Sequence, residues 1–246
     1  MDVMSPQFYL AVIQIIAIDV LLGGDNAVVI ALACRRLPEK QRNRGIFWGV
    51  VGAIMLRILL IFFALQLLSL PYLKITGALL LLWIGIKLLQ PEKEDGHGDV
   101  EGSTHLFGAI RTIIVADAVM SIDNVIAVAG AAKGGIVLVV FGILFSVPII
   151  VWGSRIVLKM MDRFPFVITL GGALLGWIAG EMLVSDTVLQ PFFKGISPWL
   201  HYLSATVGSF LVVAIGKFIA KRATGAKHQL IDLAIQQPEK ETSAAD

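Results

Sequence analysis

Seven apolar runs, each about 17–25 residues long, leave this 246-residue chain one class of fold. Hydrocarbon offers no water to backbone N–H and C=O groups, so runs of this length read as helices that satisfy their own backbone. They lie at roughly 8–34, 45–68, 71–90, 108–132, 135–158, 165–187 and 198–220. The stretches between them hold Pro38, Pro71, Pro91, the pair Gly134-Gly135, Pro165 and Pro198, residues that stop or start helices. Charged residues make up only 15% of the chain, against about 25% in soluble domains. The expectation is an all-α integral membrane protein with no large soluble domain. The first residues, MDVMSPQ, lack a basic n-region, so the first apolar run is expected to remain as a helix. Cys34, the only cysteine, excludes an internal disulfide and any multi-cysteine metal site, and reads as a small apolar filler.

Lys and Arg set the expected orientation. The loop after the first run carries Arg35, Arg36, Lys40, Arg42 and Arg44. Taking alternate loops, the same side also receives Lys93, Arg111, Lys159, Arg163 and the tail residues Lys217, Lys221, Arg222 and Lys227, whereas the other side receives Lys74, Lys133 and Lys194. This bias puts the N-terminus outside and the C-terminus in the cytoplasm. The acidic, Gly-rich stretch 91–107 reads as a solvated cytoplasmic linker, although His97 and His105 give it weak metal-collecting potential. The tail 223–246 is expected to be cytoplasmic, part helix and part disordered.

Within the apolar runs, one polar string occurs twice. Asp19-x5-Asp25-Asn26 and Asp117-x5-Asp123-Asn124 match at a constant offset of 98 positions. Pro71 and Trp83 likewise match Pro165 and Trp177 at an offset of 94. Two units of three spans follow, with an odd span count that forces the second unit to enter from the opposite face. The predicted layout is an inverted 3+3 repeat plus one C-terminal helix. Its parts are a first repeat at 1–90, the linker at 91–107, a second repeat at 108–190, a seventh helix at 191–222 and the tail at 223–246.

A carboxylate in mid-membrane costs about 2.5–3.5 kcal/mol on insertion scales, so four of them imply polar work inside the bilayer. On an unbroken helix Asp19 and Asp25 stand about 9 Å and about 120° apart, too far to grip one ion. Gly23-Gly24 between them permits a break, which frees backbone carbonyls for cations. Ser121-Ile122 occupies that place in the second string, so a milder break is expected there. Asp25, Asn26, Asp123 and Asn124 together would supply only hard oxygen donors, suited to Mn²⁺, Mg²⁺ or Ca²⁺ rather than Zn²⁺ or Cu⁺. Asp19 and Asp117 read as a second coordination position, a gate or proton carriers. The competing explanation is a structural hydrogen-bond network, which more often uses Ser, Thr or Asn.

Three further groups are candidates for the ion path. Arg57 sits near mid-span and is placed to neutralise one of the carboxylates; its match to Arg155 at the same offset is weak. Glu181 and Lys87 occupy corresponding positions in the sixth and third spans. Asp186 is expected at the outer interface. Gly172, Gly176 and Gly180 read as a close-packing stripe. No nucleotide-binding glycine loop, nucleophile elbow or zinc-protease helix is present, so neither an enzyme, a bound cofactor nor a nucleic-acid partner is expected.

The segments GGDNAVVIALA and ADAVMSIDNVIAVAGA resemble the motifs of the TerC family of bacterial membrane proteins, and its small YjbE-like branch in particular. The resemblance spans roughly residues 8–221. It implies membership of the LysE-type transporter superfamily, with Asp19, Asp25, Asn26, Asp117, Asp123 and Asn124 at the family's motif positions. It also implies secondary export of a divalent metal as substrate, Mn²⁺ before Ca²⁺. Efflux of an amino acid or other small solute, and a role as a membrane partner delivering metal to exported proteins, are the alternatives.

Overall fold

The computed structural model of the chain describes residues 12–17, 19–20, 23–63, 70–90, 99–131, 136–189 and 199–242. Every regular element among them is an α-helix. Helical turns at 12–17 and 19–20 lead to α1 (Gly24–Cys34). There follow α2 (Glu39–Phe62), α3 (Leu73–Leu89), α4 (Asp99–Ala131), α5 (Ile136–Arg163), α6 (Phe166–Val184) and α7 (Trp199–Thr242). Among the described residues, five stretches are long and apolar enough to cross a membrane: α2, α6, and the segments His105–Ile122, Val139–Arg163 and Trp199–Arg222 of α4, α5 and α7. Pro38 and Pro165 sit immediately before α2 and α6, where a missing N–H costs nothing. Pro91, Gly134, Gly135, Pro198 and His97 lie outside the described residues.

Two segments are more helical than composition suggests. α4 begins at Asp99, so the second half of the expected linker is helical, and α7 continues to Thr242 through most of the tail.

The bundle turns the usual distribution of polarity inside out. Phe47, Trp48, Met55, Phe145, Trp152 and Phe210 are exposed, while Asp19, Asn26, Arg57 and Asp117 are buried. Such exposure is stable against lipid and not against water.

Glycine contacts give the relative directions of the helices. Ile113 of α4 fills the space where a Cβ on Gly49 of α2 would lie, Leu106 lies near Gly45, and Ile114 lies beside Gly52, so α2 and α4 run parallel. Ile15 likewise fills the space beside Gly142 of α5, and Ala27 lies near Gly153, so the first helical segment runs parallel to α5. Gly172 of α6 receives Leu89 from the far end of α3, making that pair antiparallel.

α6 and α7 approach backbone to backbone. A Cβ on Gly176 would come within 2.4 Å of the Gly208 carbonyl oxygen, and one on Gly180 within 2.1 Å of the Ser204 carbonyl oxygen. The space released is used for interhelical hydrogen bonds, from Ser204 Oγ to the Gly180 carbonyl (2.7 Å) and from Ser209 Oγ to the Ala173 carbonyl (2.8 Å). Gly180→Leu should therefore lower the unfolding temperature in detergent markedly, since backbone and not a movable side chain blocks the new atoms. Gly108→Ala, whose Cβ meets nothing within 4 Å, should leave it unchanged or raise it slightly.

The helix ends are closed by charged side chains from elsewhere in the chain. Asp186 is 1% exposed, buried by protein just beyond the end of α6. Its carboxylate accepts the Lys74 and Ile75 N–H groups (3.1 and 3.3 Å) and thereby caps α3 from the end of α6. That cap is needed because Tyr72, at the N-cap position, holds a left-handed φ of 63° and offers no side-chain bond. At the other end of α3, Arg35 donates to the Leu88 carbonyl (3.2 Å), and Arg36 to those of Lys87 and Gln90. Arg42 donates to the carbonyls of Arg35 (3.0 Å) and Leu37 (3.1 Å) after α1 and pairs with Asp162 (2.7 Å). The basic loop thus neutralises helix C-termini as well as biasing topology.

Candidate functional site

The helix carrying the first polar string is interrupted where its glycines are. Gly23 is non-helical (φ −107°, ψ 10°) and α1 restarts at Gly24. The Gly23 N–H still reaches the Asp19 carbonyl at 2.8 Å, and a Cβ there would come within 2.5 Å of that same oxygen. Only glycine tolerates the approach. The second string departs from the expected milder break: α4 is continuous from Asp99 to Ala131. Ser121 carries an ordinary Cβ and gives the chain no reason to unwind.

Arg57 joins the two strings. From α2 its guanidinium donates through Nη1 to Asp19 and through Nη2 to Asp117 (2.6 Å), while Nε donates to Ser121 Oγ (3.0 Å). Ser121 Oγ in turn donates to Asp117 Oδ2 (3.2 Å), and Ser146 of α5 donates to Asp19. Each carboxylate therefore holds one guanidinium edge and one hydroxyl. The residues Asp19, Arg57 and Asp117 are 2%, 4% and 7% exposed. With both carboxylates ionised, the triad carries one net negative charge in a low-dielectric interior, a state that favours a further cation.

Beside the triad lies a cavity of about 20 Å³, the size of one water or one small ion. Eight of its eleven lining residues come in pairs from the two halves of the chain, all but Asn26, Ile30 and Ile54. Asp19 pairs with Asp117 at the offset of 98, and Val50, Ala53 and Arg57 of α2 pair with Ile143, Ser146 and Ile150 of α5, each 93 positions on. The contacts of Ile15 with Gly142 and of Ile113 with Gly49 follow the same two offsets. The counterpart of Arg57 in space is thus Ile150, not Arg155, which is exposed near the end of α5. The site has two related carboxylates and a single arginine.

Asn26 completes the lining. It is 3% exposed, and neither its Oδ1 nor its Nδ2 has a hydrogen-bond partner among the described residues. A buried amide left this way costs about 1–3 kcal/mol, so Asn26 offers the cavity a polar group with bonding capacity to spare. Asp25 is half-buried at the first turn of α1 and accepts the Asn26 N–H (2.9 Å). Asn124 is half-buried on α4. The side chain of Asp123 lies outside the described residues.

The candidate residues are therefore not all brought together. Asp19, Asn26, Arg57 and Asp117 line one cavity, and Asp25 and Asn124 are not among its lining. Lys87 lies apart, its Nζ 4.9 Å from the Trp83 ring centroid in a cavity at the end of α3. Glu181 lies in another cavity, with Trp177, His201 and Tyr202. No cluster of three or more His, Cys, Asp or Glu side chains occurs among the described residues. Ser146 was not anticipated as a site residue, and its only sequence signal is a small polar residue inside an apolar helix.

Residues 4–224 match the family described as integral membrane protein TerC family. The chain is 45% identical over 189 residues to the uncharacterized membrane protein YjbE of Bacillus subtilis, covering 77% of this chain and 86% of the relative. It is 27% identical over 217 residues to YceF of the same organism, covering 85% and 82%. It is 24% identical over 239 residues to the inner membrane protein YoaE of Escherichia coli, covering 89% of this chain but 44% of that longer relative. No solved structure matches. An all-helical bundle with lipid-suited surfaces, a buried Asp–Arg–Asp triad and a family match over nearly its whole length make this chain a multi-pass membrane protein of the TerC family.

Proposed function

We propose that this protein is a secondary transporter that exports divalent metal ions from the cytoplasm, with Mn²⁺ as preferred substrate. The observation that carries the reading is the buried Asp19–Arg57–Asp117 triad beside an ion-sized cavity lined by the amide of Asn26, which has no hydrogen-bond partner among the described residues. Arg57 acts as a tethered cation that offsets one of the two carboxylate charges when no metal is bound. An arriving divalent ion balances both carboxylates and displaces the guanidinium from them. Asp25, Asp123 and Asn124 are the ligands that would complete the oxygen shell, and the gap at Gly23 supplies backbone for it. Donors of this kind favour Mn²⁺ and Ca²⁺ over Zn²⁺, and Mg²⁺ is disfavoured by its reluctance to shed water.

The transporter is read as seven spans, an inverted repeat of 1–90 and 108–190 followed by a helix at 191–222, with the N-terminus outside. The parallel packing of α1 on α5 and of α2 on α4, and the paired lining of the cavity, support that layout. Purified protein in liposomes, with no other protein present, should move radiolabelled Mn²⁺. Competition should follow the order Mn²⁺, Ca²⁺, then Zn²⁺. Strongest competition by Zn²⁺ would discard the oxygen-only ligand set, and absence of flux would favour metal delivery to a partner.

A further inference from the structure

A second cavity, of about 160 Å³, lies where the end of α1, the last turns of α3 and the early turns of α4 meet. Arg36, Lys87 and His105 reach it from three separate segments, and no carboxylate lines it among the described residues. We propose that this cavity is a phosphate-binding site, taking the phosphodiester of an anionic lipid headgroup or a free phosphate anion.

Charge argues against a share in cation transport. A passage for divalent metal would not be lined by Arg and Lys, whose field repels it. The basic groups are also held in place. Arg36 donates through Nη2 to the carbonyls of Lys87 and Gln90, which fixes its guanidinium at the C-terminal turn of α3. Lys87 stands over the Trp83 ring, and no described carboxylate pairs with it. Trp83, which lines the cavity, is 57% exposed, as suits a side chain that meets lipid at its interface. Basic pockets between membrane helices are a recurrent means of holding lipid phosphate.

The site is testable without knowing what the central cavity carries. Native mass spectrometry of the full chain in detergent would compare retention of phosphatidylglycerol and phosphatidylcholine, while titration with inorganic phosphate tests the free anion. Phosphatidylglycerol should be retained preferentially, and Lys87→Gln with His105→Gln should weaken that retention about tenfold. Gly108→Leu is the second variant. Gly108 lines the cavity and its Cβ position is open, so this change fills the space and keeps every charge. It too should reduce retention, with unchanged unfolding temperature. Phosphate binding that depends on Lys87, without lipid preference, would also support the site and make the free anion its ligand. Equal retention of both lipids with no phosphate binding would overturn it, as would a Gly108→Leu variant that binds like the parent protein.

Discussion

Arg57→Gln should cost this protein most of its folded population. Two buried carboxylates, on Asp19 and Asp117, each take one edge of the same guanidinium. Removing one partner from a buried ion pair typically destabilises by about 3–5 kcal/mol, because the remaining charge keeps its desolvation penalty and loses its compensation. Thermal unfolding of detergent-purified variants, followed by size-exclusion chromatography, reads the effect. Arg57→Lys should rescue poorly, since a single ammonium lacks the fork that serves both carboxylates and Ser121 together. Adding Asp19→Asn and Asp117→Asn to Arg57→Gln should restore accumulation by removing the charges that need neutralising, while transport stays lost. Full stability in Arg57→Gln alone would mean that water or a bound cation already compensates the carboxylates.

The second large effect concerns transport and not folding. Asp25→Asn and Asp123→Asn should each abolish Mn²⁺ flux in proteoliposomes while the protein accumulates normally. Asp25 is half-buried, accepts the adjacent Asn26 N–H and forms no salt bridge among the described residues. Removing its charge lowers the cost of inserting the span. Removing it also leaves a divalent ion without part of its neutralisation in a low-dielectric site. Flux that survives both substitutions would confine the Asp25 and Asp123 carboxylates to a structural role. Asp19→Asn should behave differently from either, because it also breaks the bond to Arg57 and so shifts stability and flux together.

Helix formation and membrane residence were legible in the sequence because both follow from local composition: a run of about 20 apolar residues has no other way to satisfy its backbone in lipid. The repeated Asp-x5-Asp-Asn string likewise pointed to a buried polar site, since mid-span carboxylates are expensive wherever they end up. The break at Gly23 was readable too, as was the stripe Gly172, Gly176 and Gly180, because a residue without a Cβ marks close approach. Partners across the bundle were not readable. Arg57 matches Arg155 along the sequence, yet packing aligns α2 with α5 at an offset of 93 and sets Ile150 opposite it. The loops joining the spans differ in length between the two halves, so one offset does not serve every helix. Ser146 against Asp19, and Asp186 at the start of α3, carry no periodic signal at all. Burial of charge follows from composition, which fixes how much polar surface must leave lipid. Which groups compensate that charge depends on distances between helices far apart in the chain, and tertiary packing alone decided those.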